Sequence, residues 1–302
     1  MNERLGRDPA GLARAVDILR GGGIVALPTE TVYGLAADAA NTDAVARVFA
    51  AKNRPAFNPL IAHVADATMA RALVRIEPLA AALMERFWPG PLTLVLPVRR
   101  DAPVAALARG GLDTLAVRSP AHLVAQAMIA GFGGALVAPS ANASGGLSPT
   151  RAEHVTLDVP AIDGGPCLWG VESTIVGVAR GQATLLRPGA IAAEVLGIPL
   201  AAPSNAIVAP GQMASHYAPV QPVRLNATGA RAGEFLIGFG VVGGDATLSA
   251  RGDTIEAAAR LFELLHLAQA SGAVGIAVAP VPEAGLGMAI NDRLRRAAAP
   301  RG

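Results

Sequence analysis

The stretch Ser119–Thr150 contains no Asp, Glu, Lys or Arg. An uncharged run of that length is long enough to cross a bilayer as a helix. Pro120, Gly131, Gly133, Gly134, Pro139, Asn142, Gly145 and Gly146 interrupt it, and broken backbone in lipid leaves N–H and C=O groups with nothing to bond. It therefore reads as a helix, a turn, a buried strand and a polar loop within a water-soluble fold. Such a strand needs a sizeable core around it. The chain can build one, because 52% of its 302 residues are hydrophobic and only 16% are charged, a balance that also excludes disorder.

Short apolar runs between helix signals recur along the chain. Asp8-Pro9 combines a capping side chain with proline at the first helical position, predicting a helix to about Arg20 that stops at Gly21-Gly22-Gly23. Ile24–Leu27 reads as a buried strand, Asn41-Thr42-Asp43 as the start of a helix ending near Lys52, and Leu60–Val64 as the next strand. Helices over Ala67–Val74 and Pro78–Phe87 precede strand candidates at Leu92–Val98, Leu115–Val117, Ala135–Val137, Thr174–Val178 and Thr184–Leu186. That mixture predicts an α/β layer architecture. Pro199, Pro203, Pro210, Pro219 and Pro222 mark a linker over 199–222. It divides a larger unit (1–198) from a smaller α/β unit (223–302), with strands at Glu234–Phe239 and Val274–Ala279, a helix capped by Asp253-Thr254 and a last helix near Met288–Ala299.

Several function classes fall away. A formal charge of +2 and an aromatic content of 4% do not suit a polyanion-coating or RNA-gripping module. The lone Cys167 excludes an internal disulfide or a four-cysteine zinc site. Charged residues throughout Met1–Arg20 leave no apolar signal region, so a soluble, cytoplasmic protein is expected. Gly238-Phe239-Gly240-Val241-Val242-Gly243 matches GxGxxG, but Gly244-Asp245-Ala246-Thr247 is a poor helix start, and a dinucleotide site needs a helix there. His122, His154 and His266 lack ligand-like companions and read as structural or surface histidines.

Three loops carry the chemistry. Pro28-Thr29-Glu30-Thr31-Val32-Tyr33-Gly34 places hydroxyls, a carboxylate and a phenol after a buried strand; it reads equally as a polar turn with a helix cap. Lys52-Asn53-Arg54-Pro55-Ala56-Phe57-Asn58-Pro59 holds Lys52, the only lysine among 25 Lys and Arg residues, two positions from an arginine in a proline-bracketed loop. A point-charge ammonium and a planar guanidinium are not interchangeable around phosphates, although a solvated helix end would accept either. Ala138-Pro139-Ser140-Ala141-Asn142-Ala143-Ser144-Gly145-Gly146-Leu147-Ser148 offers small polar side chains and open backbone to an anion, or is a long turn. His63, Arg118 and Arg187 stand in or at the ends of strand-like runs. Cations and hydroxyls with few carboxylates suit phosphoryl or nucleotidyl transfer better than paired-acid hydrolysis.

These segments, with Trp88-Pro89-Gly90-Pro91-Leu92-Thr93, Val117-Arg118, Ser173-Thr174 and Leu186-Arg187-Pro188-Gly189, form an ordered series over about 190 residues. It resembles the YrdC-like family of threonylcarbamoyl-AMP synthases. His216-Tyr217-Ala218-Pro219 and the tail Gly285-Leu286-Gly287-x-Ala289-Ile290-x-x-Arg293-Leu294 resemble the long, two-domain form. The resemblance implies a twisted mixed sheet with a concave cleft, followed by a small Rossmann-like domain. It implies that ATP, L-threonine and bicarbonate (or CO2), with Mg2+ accompanying ATP, give threonylcarbamoyl-AMP and pyrophosphate. The product would pass to a tRNA threonylcarbamoyl transferase, with at most a weak contact between this chain and tRNA and none with membrane. Matched position by position, Thr31, His63, Arg118 and Ser173 would hold threonine. Lys52, Arg54, Asn58, Thr114, Ala138, Ser140, Asn142, Ser148, Arg187 and Tyr217 would surround ATP, with Tyr217 part of a lid. Lys52, Arg54, Ser140 and Asn142 would form the catalytic set, Lys52 touching the triphosphate or the forming carbamate; no side chain is expected to ligate a metal.

Overall fold

The computed structural model describes residues 3–201, 209–211 and 216–300. Its helices begin where the capping side chains stand. Asp8 accepts the Gly11 N–H ahead of α1 (Pro9–Arg20), and Asn41 accepts from Asp43 and Ala44 ahead of α2 (Thr42–Lys52), satisfying donors that a first helical turn leaves unpaired. Around them lie β1 (Arg4–Leu5), β2 (Val25–Leu27) and β3 (Gly34–Asp38). There follow β4 (Ile61–His63), α3 (Ala67–Leu73), α4 (Pro78–Phe87), β5 (Leu92–Pro97), β6 (Thr114–Arg118), α5 (Leu123–Phe132) and β7 (Leu136–Val137). The larger unit ends with β8 (Ala161–Ile162), β9 (Thr174–Ala179), β10 (Gln182–Arg187), α6 (Ala193–Leu196) and β11 (Leu200–Ala201).

These strands form one eleven-stranded mixed sheet in the order β1-β8-β2-β3-β7-β4-β6-β5-β9-β10-β11. Parallel pairs such as β4 with β6 are interleaved with antiparallel ones such as β5 with β6, the mixed α/β class expected from the sequence. The uncharged stretch becomes α5, a left-handed Gly133 cap, the buried strand β7 and a loop, and no helix among the described residues is long and apolar enough to cross a membrane. Strands β1, β3, β8 and β11 have no counterpart in the sequence reading; of these, β3 pairs antiparallel with β2. Thr29–Tyr33 therefore connects a hairpin and does not lead into a helix.

In the smaller unit β12 (Val223–Arg224), β13 (Glu234–Gly238), β14 (Ala246–Thr247) and β15 (Gly275–Val278) form an all-parallel sheet in the order β12-β15-β13-β14. It packs with α7 (Thr254–Ala270), capped by Asp253, and α8 (Gly287–Ala298). The GxGxxG segment closes a turn in which Phe239 and Val242 bond each other's backbone; the next helix begins only at Thr254, so the strand-turn-helix of a dinucleotide site is missing.

Of the segment expected to be a linker, Leu200–Ala201 pairs with β10 as an edge strand, while 202–208 and 212–215 lie outside the described residues. The two units share a core. Val32, Leu147, Val171 and Ala190 of the larger one cluster with Leu261, Phe262, Leu265 and Ile290 of the smaller. At Gly170, φ is +64° and a Cβ would stand 2.3 Å from the Ala259 carbonyl of α7, so only glycine permits that approach.

Candidate active site

Alternation along a strand places Ile61 and His63 of β4 on one face with Ala116 and Arg118 of β6, and His63 and Arg118 are register partners. The β2–β3 hairpin brings Thr29 and Thr31 over this face, and the loop after β7 brings Ala138 and Ser140. Ser173 precedes β9 and Arg187 ends β10. Gly189 lets the chain after Arg187 lie directly on Ser173–Thr174, since a Cβ there would meet backbone at 2.4 Å. Pro210, Gly211, His216 and Tyr217 close the cleft from above and leave about 50 Å³. One water needs about 10–15 Å³, so this space holds a few waters.

The buried cations are fixed by directed bonds. Arg118 donates from Nε to Gly90 O (3.1 Å) and from Nη1 to Thr31 Oγ1 (2.9 Å), and its Nη2 lies 2.6 Å from Glu30 Oε1. Burial pushes the Glu30 carboxyl up, but the charge and hydrogen bonding of Arg118, with help from the backbone of Ala121 and Glu30 itself, together outweigh it and hold the group below its ordinary range. Arg187 donates to Ser173 O and Oγ and to Pro210 O, tying the cleft wall to the linker. Arg54 spends Nε and Nη2 on Asn58 and Pro59, and burial pulls its pKa down to about 10. Thr31, Arg54, His63, Arg118, Ala138, Ser140, Ser173, Arg187 and Tyr217 thus meet at one cleft.

The other sequence candidates lie elsewhere. Lys52 is buried behind the 140–148 loop, where Nζ donates to Ser140 O (2.5 Å) and to Asn142 O. Asn58 holds Arg54, and Ser148 donates its hydroxyl to Glu172 Oε1 at 2.5 Å. Asn142 uses its amide nitrogen on Ala143 O and Gly146 O and faces a separate groove between the two units. Thr114 shares the face of Arg118 but sits four residues back along β6, roughly 13 Å away by strand rise. The sequence reading did not single out Glu172, and it named Arg293 in the tail motif without a role. A lone acid in an apolar run marks the first, and an arginine on the buried face of α8, between Ile290 and Leu294, marks the second. His122 caps α5, His154 stacks on His266 with ring centroids 3.9 Å apart, and Cys167 is buried and free.

Two cleft histidines stay neutral. Burial, helped by Arg118, pushes His63 down to about 3, and burial pushes His216 to about 3. Because Nδ1 of His63 lies 3.2 Å from the Ile61 carbonyl, which can only accept, Nδ1 carries the proton and Nε2 offers a lone pair. Unfolded, both imidazoles titrate near 6.5. Between pH 6.5 and 3 the unfolded chain therefore holds more protons. Stability is full above that window and falls as pH drops through it, by about 1.4 kcal/mol per pH unit per histidine. The melting temperature should decline between pH 7 and 5, less steeply for His63→Gln. Equal slopes would mean that His63 is charged in the folded protein.

A mixed α/β sheet whose face carries buried arginines and hydroxyls defines an anion-binding enzyme fold, and comparisons narrow the class. A family profile described as telomere recombination (Sua5, YciO and YrdC proteins) matches residues 17–189, and one described as the threonylcarbamoyl-AMP synthase C-terminal domain matches 186–299. The threonylcarbamoyl-AMP synthase of Bacillus subtilis is 38% identical over 100% of this chain and 96% of its own length; that of Pyrococcus abyssi is 40% identical over 94% and 92%. The crystal structure of P. abyssi Sua5 complexed with L-threonine superposes with a TM-score of 0.89 at 36% identity, covering 99% of this chain and 97% of that one. Escherichia coli YciO, at 19% identity and a TM-score of 0.54, shares the fold. The chain belongs to the Sua5/YrdC family of threonylcarbamoyl-AMP synthases, in the two-domain form.

Proposed function

We propose that this protein joins L-threonine, bicarbonate or CO2, and ATP into L-threonylcarbamoyladenylate, releasing pyrophosphate. The product feeds threonylcarbamoyl modification of the tRNA adenosine beside the anticodon. The observation that carries this reading is one cleft lined by Thr31, His63, Arg118 and Ser173 together with Arg54, Ser140 and Arg187, in a chain aligned end to end with named synthases; the first four suit threonine and the last three suit phosphate.

Arg118 pairs with the threonine carboxylate, and the His63 Nε2 lone pair accepts a hydrogen bond from the amine or hydroxyl. The threonine ammonium gives a proton to bicarbonate, which loses water to become CO2. The amine nitrogen then attacks the CO2 carbon as a C=O electron pair moves onto oxygen, and nitrogen releases its second proton to solvent, leaving a carbamate. A carbamate oxygen then attacks the α-phosphorus of ATP, and the bond to the β-phosphate oxygen breaks with its electron pair leaving on pyrophosphate. Arg54, Arg187 and Ser140 offset the phosphate charge while the site holds the reactants in line. Lys52 acts on Ser140 and Asn142 through the loop it clamps; Asn58 acts through Arg54. Ala138 lines the cleft beside Ser140, Ser148 acts through Glu172, and Tyr217 closes over the nucleotide, keeping water from the carbamate.

Among the described residues no three His, Cys, Asp or Glu side chains stand together as a metal site, and Glu30 and Glu172 are both held by arginines. These residues do not fit a resident Mg2+, so the ion arrives on the ATP phosphates and no step is assigned to it. The product passes to a separate tRNA threonylcarbamoyl transferase in the cytoplasm, and the net charge of +2 limits direct tRNA contact to a weak one. Pyrophosphate release from ATP should require both threonine and bicarbonate. Release that ignores either would end this reading.

A further inference from the structure

Among the described residues Arg293 is the largest fully buried side chain, and it belongs to the smaller unit. Its Nε donates to Glu172 Oε2 at 2.7 Å, and Nη1 donates to Pro188 O (2.9 Å) and to Asp292 Oδ2 (2.7 Å). Its guanidinium carbon lies 5.1 Å from the centre of the Tyr217 ring, a cation–π distance. Glu172, its partner across 121 positions of sequence, lines the cleft beside Ser173. Ser148 takes the other carboxylate oxygen.

A carboxylate at this position opposes the cleft's purpose. Arg54, Arg118 and Arg187 line a site for an anionic ligand, and an unpaired Glu172 would repel that ligand across a low-dielectric gap. Arg293 offsets this charge through its Nε–H on one carboxylate oxygen, turns Nη1 to Pro188 O and Asp292, and leaves its flat face for Tyr217. The same side chain therefore holds the acid, the linker tyrosine and the chain entering Arg187-Pro188.

We propose that Arg293 is a positioning residue of the cleft: the smaller unit delivers it to neutralise Glu172 and seat Tyr217, so that nucleotide affinity depends on that unit. The inference rests on the ATP reading above. Wild-type protein that releases no pyrophosphate ends that reading, whereas an active wild type with an equally active Arg293→Met variant ends only this one.

The test is steady-state pyrophosphate release by full-length Arg293→Met, Glu172→Gln and the double variant, varying ATP and threonine separately. Arg293→Met should raise the KM for ATP about tenfold or more, with the KM for threonine changed by about twofold or less. Glu172→Gln, which removes the charge Arg293 answers, should keep the KM for ATP within about threefold of wild type. The double variant should return the KM for ATP to within about threefold of Glu172→Gln, because it lacks the uncompensated acid. A purely structural staple predicts the reverse, with the double variant no better than Arg293→Met and both KM values moving together; that result overturns the proposal. If Arg293→Met does not fold, the double variant decides alone: near-normal ATP dependence supports the proposal, and a tenfold or larger loss overturns it.

Discussion

Replacing Arg118 with methionine should lower threonine-dependent pyrophosphate release about a hundredfold or more, the scale set by charge-assisted contacts at reacting centres. It should also cost about 3–5 kcal/mol of stability, because Glu30 would be left buried without its ion-pair partner. Both effects follow from one side chain having two duties. Arg118 is 3% exposed, hydrogen-bonded to Gly90 and Thr31 and ion-paired with Glu30, so the plane it offers to a carboxylate is set before substrate arrives. Arg118→Lys should fail nearly as badly, since a point charge cannot keep three directed contacts. The two duties separate in Glu30→Gln/Arg118→Met, which removes the stranded acid. Urea denaturation should show most of the lost stability restored, while pyrophosphate release stays low. Recovery of activity in the double variant would show that Arg118 serves only the fold.

Much of this site was legible in the residues, and what was hidden has a common cause. Asp8, Asn41 and Asp253 announced their helices because capping is local chemistry, decided within four residues. Strand β3 was silent because Gly34-Leu35-Ala36-Ala37-Asp38 carries no β-branched or aromatic residue; its neighbours in the sheet impose the conformation. The strand order was hidden too, since β7, β4, β6 and β5 lie side by side in an order the chain does not follow. At the site, the position of Thr31, His63, Arg118 and Arg187 at or beyond strand ends pointed to one cleft. Depth could not be read the same way. Lys52, Asn58 and Ser148 stand one layer behind the surface they were expected to form, because loop curvature decides whether a polar side chain reaches a ligand or a backbone carbonyl. The Glu172–Arg293 pair spans two units, and no local pattern specifies a partner so far away.

Lys52→Arg is the second substitution expected to fail, although this chain uses arginine at every other basic position. The Lys52 ammonium converges on the carbonyls of Ser140 and Asn142, while its own carbonyl accepts the Ser144 N–H at 2.7 Å. One residue therefore clamps both sides of the loop that carries Ser140 into the cleft. Burial, and after it the nearby Arg54, pulls the Lys52 pKa well below its ordinary value. Charge is thus costly here, and the side chain's value lies in its compact donors. A guanidinium brings more atoms into a site that is 1% exposed, an overpacking that costs about 1–3 kcal/mol, and its planar fork does not match two carbonyls meeting at a point. Lys52→Ala instead leaves two buried carbonyls short of a partner, at about 1–3 kcal/mol each. Both variants should reduce pyrophosphate release by roughly a hundredfold or more, because displacing a positioned group by about 1 Å is enough for that. Amide hydrogen exchange over residues 139–148 should rise in step, which a direct contact between Lys52 and phosphate would not require. Wild-type turnover by Lys52→Arg would show that any cation serves at this position.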